Sequence, residues 1–106
     1  GHAHEARSKL LIALPATLNI ADARTALPAL MAQARAGSGA LEVDAGALAN
    51  FDTAAIATLL ELRRIAQAAG RAFSVRSVPP AMVDLAGIYG VAELLGLSSN
   101  GQSARA

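Results

Sequence analysis

"ANFDTAAIATLLELRRIAQAAG", residues 49–70, decides the reading of this chain. Asp52 stands where a helix needs a side-chain acceptor for the free N–H groups of its first turn, and its charge suits the positive end of the helix dipole. Gly70 stands where such a helix stops. Between them, at 100° per residue, Ala55, Leu59, Leu62, Ile65, Ala66 and Ala69 gather on one side, the side expected to face a core. Thr53, Ile56, Leu60, Arg63, Arg64 and Gln67 fall on the opposite arc. Two large aliphatics among arginines, with a hydroxyl at the helix start, fit a protein-binding face, a small apolar centre with a charged rim, better than a solvated face with two stray apolar side chains.

Outward from this helix the pattern alternates. "ALEVD", residues 40–44, follows Gly39 and places Leu41 and Val43 on one face of a short buried strand; the loop "AGALAN" joins it to Asp52. After Gly70, "AFSVRSV" sets Phe73, Val75 and Ser77 against Ser74 and Arg76, again a strand. Pro79 and Pro80 then open a helix that turns Met82, Val83, Leu85 and Ala86 inward, and "VAELLGL" closes the fold with a last helical turn. Towards the N-terminus, "KLLIALPATLNI" alternates Leu10, Ile12 and Leu14, breaks at Pro15, and resumes with Leu18 and Ile20, which predicts two strands in a hairpin. From Ala21 to Ala36, Ile20, Ala23, Leu27, Leu30, Met31 and Ala34 recur at the helical period, with Gly37 as the stop. Pro28 predicts either a kink or a regular helix beginning near Leu27. The order β-β-α-β-α-β-α-α predicts an α/β domain: a small mixed sheet with helices packed largely on one side.

A chain of 106 residues has room for one such domain. Residues 9–97 are expected to form it, with a flexible leader over 1–8 and a flexible tail over 98–106, both small, polar and aperiodic. Its apolar share of 54% with 3% aromatics predicts a tightly packed aliphatic core. No apolar run is long enough to span a bilayer, so no direct membrane insertion is expected. A net charge of +1 gives no footprint for nucleic acid. There is no cysteine, which removes disulfides, thiolate metal sites and cysteine nucleophiles together and fits a reducing, cytoplasmic compartment. Phosphate-binding and metalloprotease motifs are missing, and both histidines, His2 and His4, lie in the leader. Asp44, Asp52, Glu61, Asp84 and Glu93 show no spacing that pairs them for acid–base work. The expectation is a non-enzymatic binding module with no cofactor, no metal and no catalytic residue.

The run of a strand ending in Asp44, a loop, Asp52-Thr53-Ala54-Ala55 at a helix start, Gly70, a strand, a proline turn and the final "MVDLAGIYGVAELL" resembles the STAS domain family over nearly all of Leu10 to Leu97. The resemblance implies that residues around Thr53 meet a protein partner. The length, the "LLELRRIAQAAG" helix and the ending are similar to the small STAS subunit of the Mla-type phospholipid ABC transporter, which maintains lipid asymmetry. That branch implies a chain that binds no ATP itself and that regulates or stabilises the cytoplasmic ABC ATPase subunit at the inner membrane, through Asp52, Thr53, Ile56, Leu60, Arg63 and Arg64. The alternative branch is the anti-sigma factor antagonist, switched by phosphorylation, here at Thr53. That branch carries Asp-Ser-Ser-Gly, and this chain lacks the glycine.

Overall fold

The computed structural model describes residues 9–97. The leader 1–8 with His2 and His4, and the tail 98–106, lie outside the described residues. In chain order the elements are β1 (Lys9–Ala13), β2 (Thr17–Leu18), α1 (Ile20–Ala36), β3 (Ala40–Asp44), β4 (Asn50–Phe51), α2 (Thr53–Ala68), β5 (Phe73–Arg76), α3 (Pro80–Ile88) and α4 (Ala92–Leu95).

β1, β3 and β5 form one sheet in that spatial order, every pairing parallel, with Ile12 opposite Val43 and Val43 opposite Val75. Two successive crossovers that step across a sheet in the same direction put their helices on the same face. The side chains agree. Ile12, Leu41 and Val43 are wholly buried on the helix side. Lys9, Glu42, Asp44 and Arg76 project from the other face, where Lys9 Nζ lies 3.1 Å from Glu42 and Arg76 lies 3.6 Å from Asp44 and 3.8 Å from Glu42. The α/β class, the single domain and the one-sided helices expected from the sequence are the architecture found.

Two expectations are corrected. β1 and β2 do not form a hairpin: β2 pairs in parallel with β4 in a separate two-stranded ladder. Pro15 breaks the strand, and the residues after it turn toward the segment before α2 instead of folding back on β1. The backbone bonds Ala49 N–H to Ala16 O (2.8 Å) and Asn50 N–H to Ala16 O (3.0 Å) fix that direction. With the hairpin gone, the main sheet among the described residues is parallel, not mixed. The helix expected over 21–36 is found as α1, beginning at Ile20 and running through Pro28, so of the two alternatives at that proline the start near Leu27 is excluded. Asn19 makes the early start possible, since its Oδ1 accepts from the N–H groups of Ala21 and Asp22, both at 3.0 Å. Pro28 itself sits on the exposed side.

The core lies between the sheet and α2. Leu59, Leu62 and Ala66 of α2 meet Ile12, Leu41 and Val43, with Met82, Ala86, Leu95 and Leu97 closing the layer. A wholly buried leucine contributes about 2 kcal/mol of transfer free energy. Gly37 belongs to this packing: a Cβ there would come within 2.7 Å of Leu10 Cδ2, so a larger residue would require the Leu10 side chain to move.

Candidate functional site

The short β2–β4 ladder sets the geometry of the candidate site. Its register pairs Leu18 with Phe51, so the next residues, Asn19 and Asp52, stand level with each other. Both are N-caps. α1 and α2 therefore start side by side at the same height, and the free N–H groups of two helices point toward one edge of the molecule. Asp52 joins them. Its Oδ1 accepts from Ala54 N–H at 2.8 Å, capping α2, and its Oδ2 accepts from Ile20 N–H at 3.1 Å, at the start of α1. One carboxylate thus faces the positive ends of two dipoles. Thr53 is the first helical residue and is exposed, and the cap of α2 falls to Asp52.

Along α2, burial corrects the sequence expectation for Ile56. It is 5% exposed and belongs to the core, so its side chain is not part of an exposed face. The buried set of α2, Ala55, Ile56, Thr58, Leu59, Leu62 and Ala66, spans about 160° of the wheel. That is wider than a helix lying only on a sheet would bury. α2 is covered on both flanks, by α1 on one side and by α3 and α4 on the other, and Ile56 points to the second flank. Arg63 lies on the same flank. It is half-buried, its Nη1 donates to Gln67 Oε1 at 2.9 Å, and it lines a groove with Glu93, Leu94 and Leu95 of α4. At the other end of the helix, Ala69 and Ile65 are less buried than the wheel placed them: Ala69 is exposed and Ile65 half-buried. Thr58 is buried instead, its hydroxyl donating to Ala54 O at 2.8 Å.

The arc left open on α2 carries Thr53, Ala57 and Arg64, with Leu60 half-buried between them. Arg64 makes an ion pair with Glu61 one turn earlier. Beside the start of this arc runs an apolar cleft between α1 and α2, lined by Ile20, Ala23, Leu27, Thr53, Ala54 and Ala57, with Arg24 at its rim. Ile20, which the helical period had assigned to the core, is 69% exposed and forms the lip of this cleft.

So the structure brings Asp52, Thr53, Leu60 and Arg64 to one side of the molecule and sends Ile56 inward and Arg63 to the α4 flank. Ile20, Arg24 and Ala57 belong beside Thr53 and were missed from the sequence. A signal for them exists: "TLNIADA" and "NFDTAAI" each set two strand residues before an N-cap, which is the pattern of a ladder feeding two level helices. Nothing in this surface supplies an acid–base pair, and no cluster of metal-ligating side chains occurs among the described residues. No described helix is long and apolar enough to cross a membrane. An exposed apolar lip, small alanines that let another backbone approach, and flanking guanidinium groups make a surface suited to another protein.

No curated protein matches the chain. A family model described as "Mlab, STAS domain" matches residues 2–96, which takes in both level helices, the Asp52–Thr53 start and every described strand. The chain belongs to the STAS domain family.

Proposed function

We propose that this STAS domain is a non-enzymatic subunit that binds the ATPase subunit of an Mla-type phospholipid ABC transporter and regulates or stabilises it. The protein then works at the cytoplasmic face of the inner membrane, reaching it through that partner. The observation that carries the proposal is the open surface at the level starts of α1 and α2, Thr53 and Ala57 on one helix with Ile20 and Arg24 on the other, which continues along the open arc of α2 past half-buried Leu60 to Arg64. The match to the Mlab description supports the choice of partner. The apolar lip would be desolvated on contact, and Arg24 at its edge, with Arg64 farther along α2, favours an acidic rim on the ATPase, setting orientation and association rate more than affinity.

Thr53 is the place to test it. Thr53→Glu should fold normally, because a carboxylate in the first helical turn is favoured by the dipole. It should lose the partner, since an unpaired charge in a desolvated contact costs several kcal/mol, about a thousandfold in affinity. Thr53→Ala should weaken binding less, having lost only a contact. Affinities of the three proteins for the co-purified ATPase, with circular dichroism to confirm folding, decide the matter. A folded glutamate variant that binds like wild type sinks the proposal. An alanine variant that instead stays locked onto a sigma-factor regulator supports a phosphorylation switch at Thr53.

A further inference from the structure

At the far end of α1 and α2 from Thr53, the C-terminal turns of the two helices and the loop over residues 37–39 line a second, open cleft of about 550 Å³. Three guanidinium groups line it: Arg35 from the last turn of α1, Arg64 from α2 and Arg71 from the segment after it, with Ser38 in the loop. The volume falls in the range of small-ligand sites.

Cations near helix C-termini are expected, because the last carbonyls carry partial negative charge. That explains Arg71. Its Nε donates to Gly39 O and its Nη1 to Ala34 O, both at 2.6 Å, so it closes the end of α1 and is held in one orientation. Arg35, in the last turn of α1, suits the same dipole end, but it is exposed and takes no carbonyl or carboxylate among the described residues. Arg64 has Glu61 as its partner. The third nitrogen of Arg71, Nη2, is buried with no hydrogen-bond partner among the described residues, so Arg71 brings charge to the cleft and not an accessible donor. The cleft thus gathers three permanent positive charges against one neighbouring carboxylate, one of them pre-oriented and incompletely bonded.

We propose that this cleft binds the phosphate group of an anionic ligand, through the guanidinium groups of Arg35 and Arg64, with the fixed charge of Arg71 behind them. Guanidinium forks match the oxygens of a phosphate, and each such bond is charge-assisted. A phosphate can come free in solution or on a lipid headgroup, and both present the same oxygens to the cleft. Arg71, held by two carbonyls, adds a fixed positive charge. Arg35 and Arg64 close over the anion from the two helices, and Arg64 exchanges part of its pairing with Glu61 for the phosphate.

The test uses the whole chain, labelled with nitrogen-15 and titrated with inorganic phosphate against sodium chloride at matched ionic strength, following the Gly37, Ser38 and Gly39 amides. In parallel, co-sedimentation is measured with phosphatidylcholine vesicles with and without phosphatidylglycerol. Saturable shifts confined to the cleft, weakened by about tenfold or more in Arg35→Gln, support the proposal with a soluble ligand. Vesicle binding that needs phosphatidylglycerol and is lost in Arg35→Gln, without saturation by free phosphate, supports it with a headgroup. Arg64→Gln serves as the second variant, and thermal melts confirm that both fold. Binding unchanged in both variants, or neither saturable phosphate shifts nor dependence on phosphatidylglycerol, overturns it. None of these readouts needs the ATPase, so the outcome is independent of the proposed partner.

Discussion

Asp52 is the residue whose removal tests the geometry most directly. Replacement by alanine deletes both of its hydrogen bonds, the 2.8 Å cap on Ala54 N–H and the 3.1 Å bond to Ile20 N–H. Loss of an N-cap costs about 1 kcal/mol. The bond to Ile20 joins a charged acceptor to a backbone donor, but at an exposed position where water competes, so about 1 kcal/mol is the appropriate figure for it as well. The expected total is about 2 kcal/mol, which for a domain of this size lowers Tm by roughly 8 to 16 °C. Asp52→Asn separates the two terms. An amide has one oxygen, which can keep the cap, while its NH2 group cannot accept from Ile20, so about half the loss, roughly 1 kcal/mol, should remain. Urea denaturation followed by circular dichroism, with slopes checked for equality, measures both. A second cycle adds Asn19→Ala. Because Asn19 and Asp52 serve the same first turn of α1, the double variant should fall short of additivity by about 0.5 kcal/mol or more. If Asp52→Asn is as stable as wild type, or the cycle is strictly additive, Asp52 is an ordinary cap of α2 and does not tie the two helix starts together.

Ile56→Ala should cost about 2 to 4 kcal/mol as a core truncation, whereas Leu60→Ala, half-buried, should cost about 1 kcal/mol and act chiefly on partner affinity; thermal melts beside ATPase binding distinguish them, and the reverse order would mean that the flank assignment of α2 is wrong. Gly70 ends α2 at φ +71° with nothing within 4 Å of an added Cβ, so Gly70→Ala should lose about 1 kcal/mol from left-handed backbone alone, read from the shift in urea midpoint.

What was legible in the sequence follows from how much local signal each element carries. β3 was read to the residue, because Gly39 and the apolar pair Leu41 and Val43 bound it on short range. α2 was equally plain, from Asp52 through a long helical period to Gly70. β2 and β4 were not legible as partners: two residues each leave no periodicity, and their pairing depends on contacts 33 residues apart in register, Thr17 with Asn50. The alternation of Leu10, Ile12, Leu14, Leu18 and Ile20 continued across Pro15 and invited a hairpin, though Ile20 had already become the first residue of a helix. For Ile56 the failure is of another kind. A helical wheel gives the phase of the apolar arc but not its width, and the width depends on how many neighbours flank the helix. With α3 and α4 on one flank and α1 on the other, the boundary moved past Ile56 and left Arg63 and Leu60 half-buried at its edge.

The same width explains how one helix can serve two surfaces. The buried arc of α2 runs from Ala55 to Ala66 and takes up its packing against the sheet, α1 and the C-terminal helices. The open arc, from Thr53 through Ala57 to Arg64, is free of core contacts, so its chemistry is set by what it meets rather than by the fold. Its two ends differ. At Thr53 the helix offers a positive dipole end, an apolar lip and small side chains; at Arg64 it offers guanidinium groups gathered around two negative dipole ends. Arg64 belongs to both the proposed partner face and the proposed phosphate cleft. If one occupant draws it away from Glu61 and the other needs it, the two binding events are linked, and by thermodynamic necessity each changes the other's affinity by the same factor. Arg35 lies only in the cleft and Thr53 only on the face, so substitutions at those two positions separate the direct effect from the linked one.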